Sequence, residues 1–200
     1  MIRKLLIALV VLGACRAAYH DWRLRELAQR PGVLVAEEPL QQPVPSGEIR
    51  FQLKGYELEA LARYHIRARL LGREPYRWDA SAKLSPLDFA LGWGVMSDST
   101  VLDQLDLEQS SRYFSWRFEG TPPVPPDLLQ RSAANTHLIP ADDGIAGSLD
   151  KMRPGQLVEL DGYLVAVSGN DGFRWRSSLV RTDGGAGACE VMYVQSARAI

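Results

Sequence analysis

The stretch YELEALARYHIRARL, residues 56–70, decides the fold. Its even positions, from Tyr56 through Leu58, Ala60, Ala62, Tyr64, Ile66 and Ala68 to Leu70, are all apolar, while Glu57, Glu59, Arg63, His65, Arg67 and Arg69 fall on odd ones. Leu, Ala, Glu and Arg each favour a helix. A strict period of two nevertheless gives an extended chain one apolar and one charged face, so the stretch reads as a long half-buried strand or a bent pair of strands. His65 lies on the charged face and is expected to be solvated rather than ligating.

The C-terminal third carries the same signal. Residues 157–167 and 173–181 read as strands joined by the hairpin chemistry of Asn170-Asp171-Gly172, and residues 189–197 as a closing strand after a Gly-rich turn. Together they predict an antiparallel meander. Between these sheet regions, Ser85-Pro86-Leu87-Asp88 has the form of a helix start: a capping serine, proline at the first position and an acid in the first turn. Residues 97–107 read as a second short helix, 112–118 as a strand, and Asp142 or Asp143 as the cap of a helix reaching Met152. The expected fold is α+β: a mainly antiparallel sheet curled toward a small barrel, with two or three short helices.

Upstream of this domain, expected over residues 47–200, the chain changes character twice. Residues 1–18 begin with Arg3 and Lys4, run without charge from Leu5 to Ala14 and end near Cys15 and Arg16. This is the pattern of a signal peptide or signal anchor, with the basic start held on the cytoplasmic side. About ten uninterrupted apolar residues span roughly 15 Å as a helix, against about 30 Å of hydrocarbon, so a conventional spanning helix fits poorly. Leu12-Gly13-Ala14-Cys15 resembles a lipobox, which would make Cys15 a lipidation site. Residues 19–46 are polar and then Pro-rich (Pro31, Pro39, Pro43, Pro45) and read as a spacer. A domain anchored to the cell membrane and facing the periplasm is the expectation.

Composition limits the partners. Apolar residues make up 46% of the 200 and the net charge is -1, which lacks the basic footprint of nucleic-acid binding. Arg174, Arg176 and Arg181 read as a solvated face. No cofactor is expected, and no metal: His137, Asp142, Asp143 and Glu190 offer one histidine among scattered carboxylates, short of the converging ligands zinc requires.

Two sets of residues could carry function. Cys189, His137 and Asn135 are the types a thiol hydrolase or transferase needs, an imidazole to ionise the thiol and an amide to orient the ring, but only the fold can bring them together. Without such contact, Cys189 is an inward-facing strand residue and His137 bonds its own loop. The second set comprises Trp93, Trp175, Arg181 and Asp183 as ligand-binding residues. Exposed tryptophans mark binding faces for protein, peptide or glycan, although at least three of Trp78, Trp93, Trp116 and Trp175 are expected to be buried. Arg181 and Asp183 with Glu190 share residue types, without the spacing, with the calcium and phosphate site of micrococcal nuclease; a mutual pair around Gly184-Gly185 is the simpler expectation. The favoured function is an envelope-tethered binding or accessory module.

The motifs GWGVMSD (residues 92–98), QSSRY (109–113), SAANTHLIPA (132–141) and WRSSLVRTDGGAGACE (175–190) resemble those of a family of proteobacterial membrane-anchored proteins, over nearly the whole domain from about Phe51. The resemblance implies an N-terminal apolar segment, an extended spacer and one domain, and no activity. The family pattern implies a longer apolar run with aromatics where this chain has a lipobox-like cysteine.

Overall fold

The alternating stretch forms one strand longer than its period-two core, β3 (Tyr56–Pro75), in a computed structural model that describes residues 4, 6, 7, 9–15, 18, 25–183 and 187–200. The strand is long because it serves two partners on different parts of its length. Residues Tyr56–Arg69 pair antiparallel with β8 (Leu157–Gly169), and Arg69–Pro75 pair antiparallel with β4 (Leu87–Gly92). Register shifts at Ala60/Ala62 and Leu70/Gly72 bend it between these partners.

From β4 the sheet continues to β7 (Ala133–Pro140), to β10 (Glu190–Ala199) and back to β8, so the β3–β8 pairing closes a ring of five strands. All neighbours are antiparallel except β7 and β10. In chain order the ring runs first, second, third, fifth, fourth, with the short helix α3 (Pro126–Arg131) before the third strand and helix α4 (Asp143–Lys151) between the third and fourth. That is the connectivity of the OB-type Greek-key barrel. The even residues of β3 from Ala62 to Leu70 fill the barrel with Phe89 and Leu91 of β4, Leu160 and Leu164 of β8, and Met192 of β10, while Leu58 and Ala60, before the register shift, pack in a second cluster with Ile139, Val165 and Val191. Closure requires a glycine at position 162, where an added Cβ would lie 1.9 Å from the Tyr193 carbonyl oxygen.

Several local expectations yield to this topology. The segment beginning at Ser85 is not a helix; Leu87–Gly92 is β4, buried throughout. Asp88 is therefore not a solvated first-turn acid but a fully buried carboxylate. A 3-10 turn (Gly94–Ser97) and the short α2 (Ser99–Leu102) replace most of the helix expected over 97–107, and its end becomes β5 (Asp106–Ser110), which pairs with β6 (Tyr113–Arg117) as a separate hairpin. The meander is also interrupted: β9 is only Arg174–Arg176, and β10 lies between β8 and β7. The hairpin turn forms at the expected place, where the Gly169 N–H donates to Phe173 O at 2.9 Å. Helix α4 starts as read, the Asp142 side chain accepting from the Ile145 N–H. His65 is half-buried beside Asp161, its Nδ1 2.6 Å from Asp161 Oδ1.

Residues 25–46, expected to be a spacer, lie against the barrel. Strands β1 (Leu40–Pro43) and β2 (Arg50–Leu53) pair with β3. The N–H groups of Leu34 and Val35 donate to Ser97 Oγ at 3.1 Å each, and Val35 enters the core. Leu27 N–H donates to Pro154 O at 2.9 Å, and Gly155, at φ +86°, lies so close that a Cβ would come within 2.1 Å of Leu27 O. The arm's backbone groups find partners on the barrel that an isolated Pro-rich segment lacks. Residues 19–24 lie outside the described residues.

The described N-terminal residues 9–15 are helical (α1), with Leu9, Val10, Val11 and Leu12 exposed. Among the described residues, no helix is long and apolar enough to cross a membrane.

Candidate functional site

The functional side chains gather on the outer face of β4, β7 and β10. Alternation along these strands sends Phe89, Leu138 and Met192 into the barrel and leaves Asp88, Asn135, His137 and Cys189 on the other side. Asp88 and His137 are direct cross-strand partners in the β4–β7 register. Such a face would ordinarily meet water, but here the β5–β6 hairpin and the segments 76–85 and 173–183 cover it.

Arg112, at the hairpin turn with φ +70°, holds the cover down. Its Nη1 donates to Asp88 Oδ1 at 2.6 Å, its Nη2 to Ser85 O at 2.9 Å, and its Nε to Asp79 Oδ2 at 3.2 Å. The guanidinium lies over the Tyr76 ring, 3.7 Å from the centroid, while Tyr76 Oη accepts from the Arg112 N–H at 2.7 Å. Desolvation pushes Asp79 up, but hydrogen bonds from Arg112 and Ser81 outweigh it and hold the carboxyl below its ordinary value. His137 Nδ1 lies 2.9 Å from Asp88 Oδ2, an ion-pair separation at which neither atom is aligned for a hydrogen bond. The imidazole packs on Trp175 with ring centroids 4.6 Å apart.

Above this network is an open cleft of about 320 Å³. Arg112, His137 and Cys189 form its floor, and Phe173, Trp175 and Arg176 its walls. A second hollow of about 110 Å³ lies alongside, lined by Trp116, Gln130, Asn135, Arg181, Asp183 and Glu190 among others. Tyr113 and Cys189 border both.

The predicted thiol set is only partly assembled. Asn135 Nδ2 is 3.7 Å from Cys189 Sγ and donates to Arg112 O at 2.9 Å; Cys189 Sγ also bonds Arg112 O at 3.6 Å. No hydrogen bond joins Cys189 to His137, whose Nδ1 faces Asp88 instead. Burial pushes the Cys189 thiol up to about 11; the Asn135 bond opposes this, and the negative Glu190, Asp88 and Asp183 add to it. At pH 8 about one such thiol in a thousand is ionised, against roughly a quarter of ordinary cysteines. Iodoacetamide at pH 8 is therefore expected to label Cys189 about 100-fold more slowly in the native protein than in the urea-unfolded chain. Equal rates, read by peptide mass spectrometry, would show an activated thiol.

The tryptophans divide differently from expectation. Trp93 is buried in the core, away from both hollows; Trp116 and Trp175 are half-buried, and Trp78 is 95% exposed. Of these four only Trp93 is buried, because Trp116 and Trp175 stand on short outlying strands and Trp78 on the loop after β3. Arg181 and Asp183 both line the second hollow without pairing: Arg181 Nη2 donates to Pro39 O at 2.7 Å, and Asp183 Oδ2 accepts from Ser178 Oγ. The Gly184-Gly185 turn lies outside the described residues. Cys15 is exposed. Among the described residues, no group of three or more His, Cys, Asp or Glu could hold a metal ion.

Asp88, Arg112 and Glu190 are the site residues that sequence reasoning placed elsewhere or undervalued. Asp88 was hidden behind a helix-start signature, Arg112 behind a turn. Glu190 gave one usable signal, an acid directly before the apolar run Val191–Val194.

Set against models of protein families, curated proteins and solved structures, the chain matches none of them.

Proposed function

We propose that this protein is a ligand-binding module held at the cell envelope, with the aromatic-walled cleft over β4 and β7 as its binding site. The observation that carries this reading is the buried Asp88–Arg112–His137 network at the cleft floor. Burying charges is costly unless they are paired and bonded. Here the pairing fixes three polar groups and the Trp175 ring in one geometry, the preorganisation a specific site requires. Barrels of this connectivity bind ligands on the face of their second and third strands, between the loops that follow the first and fourth. The cleft lies at that place, which supports the reading by fold analogy alone.

Binding is favoured over thiol chemistry because Cys189 is a desolvated thiol without an imidazole partner. The exposed apolar residues of α1 make no use of the barrel's core, and this supports a membrane as their partner. Cys15 is the residue that would carry the lipid, and the mass of the membrane-extracted chain tests it: loss of the first 14 residues with added acyl mass, against an intact N-terminus.

The cleft is tested by a thermal-shift screen of envelope-derived small molecules and oligomers. A ligand at about 100 times its Kd stabilises by about 2.7 kcal/mol, which raises Tm on the order of 5–10 °C for a domain this size. The shift is expected to vanish in Trp175→Ala. A ligand that shifts parent and variant alike does not use the cleft and removes the basis of the proposal.

A further inference from the structure

We infer that the second hollow is a site for a small zwitterion of the α-amino-acid type, with the ligand's ammonium on Glu190 and its carboxylate on Arg181. This is a different site from the cleft and goes beyond the binding reading above.

Separate elements build the hollow. Strand β6 supplies Tyr113, Phe114 and Trp116, and the segment before β10 supplies Arg181 and Asp183. Glu190, the first residue of β10, pairs with Thr136 of β7 and alternates with Cys189. That parity puts it on the barrel side with Met192, at the end where β7 and β10 both begin, whereas Cys189 lies on the outer side. The Tyr64 phenol, on the barrel side of β3, agrees with this placement: burial, and then the negative Glu190, push it well above its ordinary value. Tyr113 and Val180, both half or more exposed, bring the lining of the hollow into contact with solvent.

Two unpartnered atoms define what the hollow lacks. Glu190 is 6% exposed, yet its Oε2 has no hydrogen-bond partner among the described residues. Nε of Arg181 is buried and equally without one. The rest of that guanidinium is engaged elsewhere, Nη2 donating to Pro39 O and Nη1 lying 4.0 Å from Glu38, neither of which lines the hollow. Native proteins rarely leave such groups unsatisfied. One atom is an acceptor on an acid and the other a cationic donor, so their complement is a cationic donor and an anionic acceptor in one molecule.

Charge and size exclude simpler ligands. A bare anion would meet Asp183 and Glu190, and a bare cation would meet Arg181. A neutral amide takes both bonds but leaves the charges uncompensated. A zwitterion answers both, and the aromatic rings of β6 add cation–π attraction for its ammonium. The volume, about 110 Å³, is well below the roughly 300–1,000 Å³ of sites for drug-sized ligands. It suits a molecule the size of alanine or serine, not one the size of tryptophan.

Binding also moves a proton. Burial raises the Glu190 carboxyl to about 8, Arg181 opposing and Asp183 adding, so at pH 7 about nine in ten are protonated. An ammonium placed beside it favours the carboxylate, and the proton passes to the buffer.

The test is calorimetry of the full chain with L-alanine at pH 7, in two buffers of different ionisation heat. A Kd of about 1 mM or tighter is expected, with release of close to one proton per alanine bound. Propionate, ethylamine and propionamide, which lack one charge or both, should bind roughly 10-fold or more weakly, and L-tryptophan should not compete. Glu190→Gln should weaken alanine by roughly 10-fold or more and abolish the proton release. Arg181→Gln should weaken alanine and leave ethylamine unchanged. Thermal unfolding at pH 5 confirms that the variants are folded. Trp175→Ala should bind alanine as the parent does, which separates this site from the cleft. Equal affinity for alanine and either single-charge analogue overturns the zwitterion. Alanine binding that survives Glu190→Gln, or is lost in Trp175→Ala, overturns the site. No binding of alanine up to about 10 mM means that water alone fills the hollow and overturns the inference, while the thermal-shift result for the cleft stands separately.

Discussion

Asp88→Asn is expected to destabilise the protein by about 3–5 kcal/mol, the cost of breaking a buried ion pair from one side. The carboxylate is fully buried and touches both Arg112 Nη1 at 2.6 Å and His137 Nδ1 at 2.9 Å. The amide that replaces it keeps the shape but removes the charge that Arg112 was desolvated to meet. Because Arg112 also holds Ser85 O and Asp79, the β5–β6 hairpin and the segment after β3 should loosen together. Urea unfolding gives the stability change, and hydrogen exchange at residues 76–85 and 106–117 gives its location. A double variant, Asp88→Leu with Arg112→Met, should cost clearly less than the sum of the single changes, since it removes both charges of the buried pair and leaves only the exposed Asp79 without its arginine. A loss below about 1 kcal/mol for Asp88→Asn would mean the pair is hydrated and the cleft floor is not fixed by it.

The second large effect is the pH dependence set by Glu190. Burial, opposed by its backbone N–H and by Arg181, raises its carboxyl from 4.5 to about 8. Between these values the native state holds a proton that the unfolded chain has released, so stability falls as pH rises. The slope is about 1.4 kcal/mol per pH unit, and across the window the loss is of the order of 5 kcal/mol. Below about pH 4.5 both states carry the proton and the term vanishes; above about 8 the loss is complete. Glu190→Gln keeps a neutral side chain of the same size and should remove this slope. Parent and variant are expected to have similar stability at pH 5, with the variant more stable by several kcal/mol at pH 8.5. Guanidinium unfolding at pH 5, 7 and 8.5 reads this directly. Parallel profiles for the two proteins would place the ionised carboxylate comfortably in the fold and weaken its part in the second hollow.

Residues 56–70 by themselves determined an extended reading, a long half-buried strand or a bent pair of strands, because a period of two gives an extended chain one apolar face. That it is one strand bent at two register shifts was decided by its partners β8 and β4. The α+β class, the curled sheet, the Asn170-Asp171-Gly172 turn and helix α4 were legible because each is specified by residues next to one another. What tertiary structure alone decided is everything that depends on partners distant in the chain. Ser85-Pro86-Leu87-Asp88 has a good local helix start, but β3 and β7 offer Leu87–Gly92 a complete set of backbone hydrogen bonds and a buried slot on both faces, which outweighs a few tenths of a kcal/mol per residue of propensity. The same placement turns Asp88 from a cap into the centre of the site. The Pro-rich arm looked like a spacer because its partners, Ser97, Pro154 and the edge of β3, are far away in sequence. Cys189 and Asn135 were named from their types, and the parallel β7–β10 register brings them together, while the antiparallel β4–β7 register gives His137 to Asp88 rather than to the thiol. Local sequence fixes periodicity and turns, whereas which charges share a buried face depends on closure of the barrel, a property of the whole chain.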